Sequence, residues 1–274
     1  MSGIDYEVEY NNRARVPEHP AIFERWQRDA ATFRTNHKYA ELGLRFGPSD
    51  RQCIDLFWPD ARRDAKIVVF IHGGYWRSLD PFLFSHLAAG PNARGLALAL
   101  TGHDLCPSVT IAQIIEQQRA ALAFLGKRHG GRLVVSGHSA GGHLAACMLA
   151  TDWRARDANL PPDLVSAALA ISGLFDLAPL IHTSMNADLK LDAAEARRVS
   201  PIFWPAPRAG RFEAWVGGEE SAEFLRQSRI IADAWKGIAA RYHAVPGANH
   251  FTVIDPLTEP GSSLTARLVE LSQA

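Results

Sequence analysis

The sequence predicts an α/β fold in which a mostly parallel central sheet is covered by helices on both faces. Three observations carry that expectation. Apolar runs of strand length alternate along the chain with segments of helical periodicity. Several of those runs are apolar at every position, the pattern of strands buried on both faces. Gly137-His138-Ser139-Ala140-Gly141 then joins one such run to a helix through a turn crowded enough to need its flanking glycines. At 274 residues the chain is close to the size of one large α/β domain, so a single domain over 1–274 is expected. Residues 1–47 precede the first expected strand and are read as an N-terminal extension packing on or over the rim of the site.

The elements follow in order. Ile22, Phe23, Trp26, Ala30 and Phe33 recur at helical spacing just after Pro20, a residue favoured in a first helical turn, so a helix is expected outside the sheet or over its rim. Residues 53–58 form the first expected strand, with Ile54, Leu56 and Trp58 alternating. Residues 67–71 and 96–100 are continuously apolar and read as buried strands. Ile111, Ile114, Ile115, Leu122 and Leu125 make a helical stripe, with Gln117, Arg119 and Lys127 off it, which is core packing. Residues 133–136 are the strand before the glycine-flanked turn and 143–150 the helix after it. Later strands are expected at 165–171, 212–216 and 242–245, and a final helix near Ser262. Over 178–207 the pattern weakens and Pro179, Pro201, Pro205 and Pro207 punctuate it. An insertion is expected there, too short for a large cap domain, over an open or shallowly covered pocket. No repeat, low-complexity tract or interdomain linker is visible.

Composition narrows the class of partner. Twenty-nine basic residues balance 29 acidic ones, so no net field favours nucleic acid or an anionic membrane. A small-molecule substrate is the expected partner, with no nucleic acid and no membrane, and a homodimer is left open. The acidic start, Met1-Ser2-Gly3-Ile4-Asp5-Tyr6-Glu7, lacks the basic cluster and apolar stretch of a secretory signal, and no run approaches membrane-spanning length. Cys53, Cys106 and Cys147 are distant and odd in number, which suits reduced thiols in a cytoplasmic protein.

The chemistry is carried by three segments. Ser139, between glycines at a strand-to-helix turn, has the placement of a nucleophile elbow, in which a strained bend pushes the hydroxyl out of the fold. His72-Gly73-Gly74-Tyr75-Trp76 follows a buried strand, and its glycines let backbone N–H groups approach a developing oxyanion, each such donor being worth ~10²–10³ in rate. The N–H of Ala140, after the nucleophile, is the expected second donor. A serine hydroxyl needs a base, and chain order places it last: His250, in the loop 246–251 after the final strand, fits better than His243 within that strand. The acid that orients the histidine should follow the strand at 212–216, where the chain reads Gly217-Gly218-Glu219-Glu220-Ser221-Ala222-Glu223. Ser221 reads as a helix N-cap and Glu223 as a first-turn residue, leaving Glu219 and Glu220 as alternatives. His138 and His143 are five apart and do not share a helix face, His72 is read as bracing its loop, and no metal or nucleotide motif occurs. Neither a metal nor a cofactor is expected.

His72-Gly73-Gly74-Tyr75-Trp76, Gly137 to Leu144 and Glu220 to Gln227 together resemble the kynurenine formamidase (arylformamidase) branch of the α/β-hydrolases. Tyr10 to Pro17, Asp104-Leu105-Cys106-Pro107 and Ser172 to Leu177 resemble further segments of that branch, so the likeness spans nearly the whole chain. Tyr75-Trp76 is its most specific part, because many lipases and esterases carry a third glycine there. The resemblance implies an α/β-hydrolase fold with Ser139 as nucleophile, His250 as base, and Gly73, Gly74 and Ala140 as oxyanion donors. It places Glu220 where the family has an aspartate, which is a departure that keeps Glu219 in play. It further implies hydrolysis of N-formyl-L-kynurenine to L-kynurenine and formate. Tyr75, Trp76 and Phe251, with Trp204 as a weaker candidate, are the expected aromatic walls. The same machinery would serve a carboxylesterase or thioesterase, and a non-catalytic ligand-binding relative is the reading from another class.

Overall fold

The computed structural model describes residues 3–273. Met1, Ser2 and Ala274, at the ends of the expected domain, lie outside the described residues. Eight strands run Ala40–Arg45 (β1), Cys53–Phe57 (β2), Ile67–Ile71 (β3), Ala97–Thr101 (β4), Leu133–His138 (β5), Val165–Ile171 (β6), Arg211–Gly217 (β7) and Ala239–Val245 (β8). They form one sheet in the order β1-β2-β4-β3-β5-β6-β7-β8. β2 is antiparallel to both β1 and β4, and every other neighbouring pair is parallel. This is the mostly parallel sheet that the continuous apolar runs predict.

Period-two alternation divides the central strands between two cores. Val69, Ile71 and Val135 point to the face covered by the helices Ile111–His129, Ala140–Leu149 and Ala222–Ala234, whereas Val68, Phe70 and Val134 meet His19–Asn36 and Ser263–Ser272 on the other. β2, β3, β4 and β5 are buried at every position. The helix starts are specified locally. Thr110 and Gln113 form a capping box, Ser221 and Ser262 accept from the amides of Phe224 and Thr265, and Pro20 occupies the first turn of His19–Asn36.

Two expectations change. Residues 40–45, assigned to the N-terminal extension, form the edge strand β1. Its Glu41, Gly43 and Arg45 give no apolar run, and it is held by pairing with β2 and by a 2.7 Å bond from the Gly43 amide to the Asp55 carboxylate. β5 also runs two residues past Ser136, because Gly137 and His138 pair with Ala170 and Ile171. The proline-punctuated stretch folds into short turns of helix at Ala178–His182, Asn186–Leu189, Ala193–Arg198 and Pro201–Phe203. Among the described residues no helix is long and apolar enough to cross a membrane.

The helical segment ahead of β1 is tied to the sheet by a buried polar network. Tyr10 is fully enclosed, donates its hydroxyl to Glu223 Oε2 at 2.8 Å, and accepts from Gln227 Nε2 at 2.9 Å. Arg226 grips the same carboxylate through two 2.8 Å bonds, and Gln227 Oε1 accepts from the amides of Phe175 and Asp176. Glu223 is therefore more than the first-turn acid its position suggests. Burial alone would raise its pKa, but the bonds from Arg226 and Tyr10 outweigh that and hold it below the ordinary 4.5. A depressed carboxylate contributes stability that is present above its unfolded pKa and is lost as pH falls through its folded one. The urea midpoint should accordingly fall more steeply between about pH 5 and about pH 3 in the parent than in Glu223→Gln. Parallel curves for the two proteins would remove the carboxylate from this role.

Candidate active site

Ser139 sits between β5 and the helix Ala140–Leu149 with φ 57° and ψ −119°, a backbone conformation that L-residues avoid. The crossing is close enough to forbid side chains on either side. A Cβ on Gly137 would lie 2.1 Å from the Gly141 carbonyl oxygen, and one on Gly141 would lie 1.9 Å from that of Ile71. The bend is held by the Ser139 amide donating to Ile171 O at 2.8 Å, and by the amides of Gly142 and His143 donating to Ser139 O. Ser139 faces a cavity of about 390 Å³ at the carboxyl ends of the strands, as expected of an elbow.

His250 lines the same cavity, in the loop after β8. Its Nδ1–H donates to Glu220 Oε2 at 2.6 Å. Glu220 Oε1 in turn accepts from Ser172 Oγ at 2.5 Å and from the Gly217 amide at 2.7 Å. The carboxylate is enclosed, whereas Glu219 is exposed and engages the site only through its amide, which donates to Ala248 O. Of the two acids left open by the sequence, Glu220 is the one that meets the histidine. A proton fixed on Nδ1 leaves Nε2 as the bare, basic nitrogen. No hydrogen bond joins Ser139 Oγ to His250 in this state, although both border one cavity. His243 lies exposed on β8 with its ring 4.2 Å from that of Trp215, outside the cavity lining.

The loop after β3 runs beside the serine, since a Cβ on Gly73 would lie 3.0 Å from Ser139 Cβ. Buried His72 donates from Nδ1 to Gly73 O at 2.7 Å, and burial lowers its pKa to about 4, so it stays neutral. Gly74 O accepts from the Arg77 amide and from Ser78 Oγ. In a trans peptide the N–H points opposite to the C=O. Bracing these two carbonyls thus aims the N–H groups of Gly74 and Tyr75 the other way. Among the described residues, the amides of Gly73, Gly74, Tyr75 and Ala140 donate to no protein acceptor. The Tyr75 amide joins this set unannounced by the sequence, and the bond from the Ser172 hydroxyl to Glu220 is likewise unannounced.

Tyr75 and Phe251 line the cavity, together with Phe23 and Trp26 from the N-terminal helix. Trp76 does not, contrary to its assignment as a substrate wall. Gly74, Tyr75 and Trp76 all have positive φ (106°, 50° and 55°), a turn so tight that the neighbouring side chains part. The Trp76 ring is fully buried, edge-on to His143 at 5.0 Å. Trp204 likewise lies outside the cavity lining and donates to Arg198 O. The roof is shared: Glu7 accepts from the Ser184 amide and hydroxyl at 2.6 and 2.7 Å, Tyr75 OH donates to Tyr10 O, and Arg77 pairs with Asp188 at 2.6 Å. The N-terminal segment and the insertion after β6 thus close over the cavity from two sides.

A family model described as "Alpha/beta hydrolase family" matches residues 68–264. The chain resembles kynurenine formamidases over most of its length. It is 28% identical to that of Salmo salar over 241 residues, 84% of this chain and 81% of the relative, and 29% identical to that of Drosophila melanogaster over 232 residues, 77% and 75%. Among solved structures, one described as a "putative thioesterase" from Silicibacter sp. TM1040 superposes with a TM-score of 0.87 at 36% identity, covering 96% of this chain and 98% of that one.

The crowding at Gly141 is directly measurable. Gly141→Ala should lower unfolding stability by about 1–3 kcal/mol, because backbone must move to admit the methyl group. Gly261→Ala, where nothing lies within 4 Å, should change it by less than about 0.5 kcal/mol in the same urea titration. Equal effects would show that the elbow tolerates a side chain.

Proposed function

The chain belongs to the alpha/beta hydrolase family and is a hydrolase, and on that premise we propose that it is a serine hydrolase cleaving an aryl formamide, N-formyl-L-kynurenine above all, to L-kynurenine and formate. The observation that carries the mechanism is the 2.6 Å bond from His250 Nδ1 to Glu220, which leaves Nε2 bare in the cavity that Ser139 faces. Glu220 is a carboxylate held on three sides, so it orients the imidazole and stabilises its protonated form. The choice of a formamide rests on the likeness to kynurenine formamidases.

In the first half-reaction His250 Nε2 takes the Ser139 proton as Oγ bonds to the formyl carbon. The carbonyl oxygen becomes an oxyanion and is met by the amides of Gly73, Gly74 and Ala140, with Tyr75 N–H alongside. Collapse breaks the C–N bond, and the same proton passes from His250 to the departing arylamine nitrogen. Water then attacks the formyl ester, His250 takes its proton, formate leaves and Ser139 recovers its hydrogen. Tyr75 and Phe251 flank the aryl group, and the N-terminal segment forms the rim that shapes the leaving-group side. The solved structure at 36% identity, described as a "putative thioesterase", favours a second reading in which the same triad takes small esters or thioesters.

Ser139→Ala should abolish formamide and ester turnover in a protein that still folds, and a phosphonate should label the parent and not the variant. Retained turnover in that variant would overturn the mechanism. Glu220→Gln should lower kcat by about 10³–10⁴-fold, while Glu219→Gln stays within about twofold; the reverse order would move the acid. Comparing kcat/KM for N-formylkynurenine and p-nitrophenyl acetate separates the two substrate readings, a strong preference for the ester favouring the second.

A further inference from the structure

His138 occupies the position before the proposed nucleophile, and the triad assigns it no task. It is 4% exposed and is the last residue of β5, where it pairs with Ile171 of β6. Its Nε2–H donates to the backbone carbonyl of His250 at 2.7 Å, and the two imidazole rings lie 4.7 Å apart, tilted by 44°. The donor spans 112 residues to reach that carbonyl. A carbonyl can only accept, so Nε2 carries the proton, and burial together with the neighbouring His250 keeps the ring neutral, well below the ordinary 6.5. His138 therefore adds no second cation when His250 is protonated.

The geometry points to His138 as a positioning residue that fixes the backbone of His250 from the elbow itself, so that the nucleophile and its base are held by one rigid strand end. This rests on the serine-hydrolase reading above. The base hangs from the loop 246–251, whose other ties reach neighbouring loop and turn residues and the end of β8. The amides of Phe251 and Thr252 donate to Asn249 Oδ1, and that of Glu219 to Ala248 O. Those bonds shape the loop but do not reach β5. The His138 bond does, and it joins adjacent residues of the two catalytic segments: His138 precedes Ser139, and its acceptor belongs to His250. With Glu220 bonded to Nδ1 and His138 bonded to the carbonyl, both the ring and the backbone of His250 are constrained. Both constraints tighten the placement on which proton transfer depends, and a displacement of about 1 Å at such a site costs about 10²-fold in rate.

Three variants test this, read by the rate of phosphonate labelling and by kcat and KM on p-nitrophenyl acetate, with unfolding midpoints as the folding control. His138→Gln keeps an N–H at the reach of Nε2 and should retain kcat within about threefold. His138→Asn, polar but too short, and His138→Leu, apolar, should each lose about 10–100-fold in kcat and in labelling rate with KM changed less than about twofold. Should the Leu variant fail to fold, the Gln and Asn pair carries the comparison alone. Equal kcat in the Gln and Asn variants, or losses confined to KM, overturns the positioning role while leaving the serine mechanism intact. A parent that phosphonate does not label overturns the serine mechanism and this inference with it.

Discussion

The bend at Ser139 is the constraint on which the site depends. Holding a non-glycine residue at φ 57° is unfavourable by roughly 1–3 kcal/mol, and the surrounding contacts must over-determine it. They do so by contact of backbone on backbone. Gly141 lies against the Ile71 carbonyl and Gly137 against that of Gly141, with no room for a methyl group. The same crowding brings the end of β3 beside the end of β5, so the loop that offers its amides runs past the serine as a consequence of how the elbow packs. Ser139 and the unpaired amides beside it are positioned by one set of van der Waals contacts.

The acid side is built on a different principle. A glutamate has one more rotatable bond than an aspartate, and that freedom must be removed for the carboxylate to orient a ring. Here Ser172 Oγ and the Gly217 amide hold Oε1, leaving Oε2 to His250. Ser172 directly follows β6 and Gly217 ends β7, so the carboxyl ends of two strands hold the side chain. The carboxylate is fixed by hydrogen bonds from residues at the ends of the sheet and from the histidine it meets.

The cavity's outer wall comes from chain that the sheet does not need. Tyr10 is locked to Glu223 and Gln227, two residues of the helix that begins just beyond the acid, and Phe224 between them packs its ring 4.6 Å from that of His250. The N-terminal segment is thus fastened to the same helix that backs His250. Glu7 meets Ser184 of the insertion after β6, so both coverings of the cavity depend on each other. The cavity rim and the placement of His250 share this support.

Local rules were enough to read from the sequence the strands at 67–71 and 165–171, the capped helices and the elbow, because continuous apolar runs, N-caps and a glycine-flanked serine act within a few residues of themselves. That His250 would reach the cavity was legible from chain order and its loop position. β1 was not, since an edge strand with polar alternate residues gains its stability from pairing with a separate strand, β2. Nor was the fate of Trp76, which left-handed backbone at two consecutive residues turns into the core while its neighbour Tyr75 stays in the cavity. The choice of Glu220 over Glu219, the hold of Ser172 on it, and the reach of His138 to His250 were decided only by the tertiary structure. Each is a contact between segments brought together by the sheet, and hydrogen-bond geometry between distant segments leaves no periodicity in the chain to read.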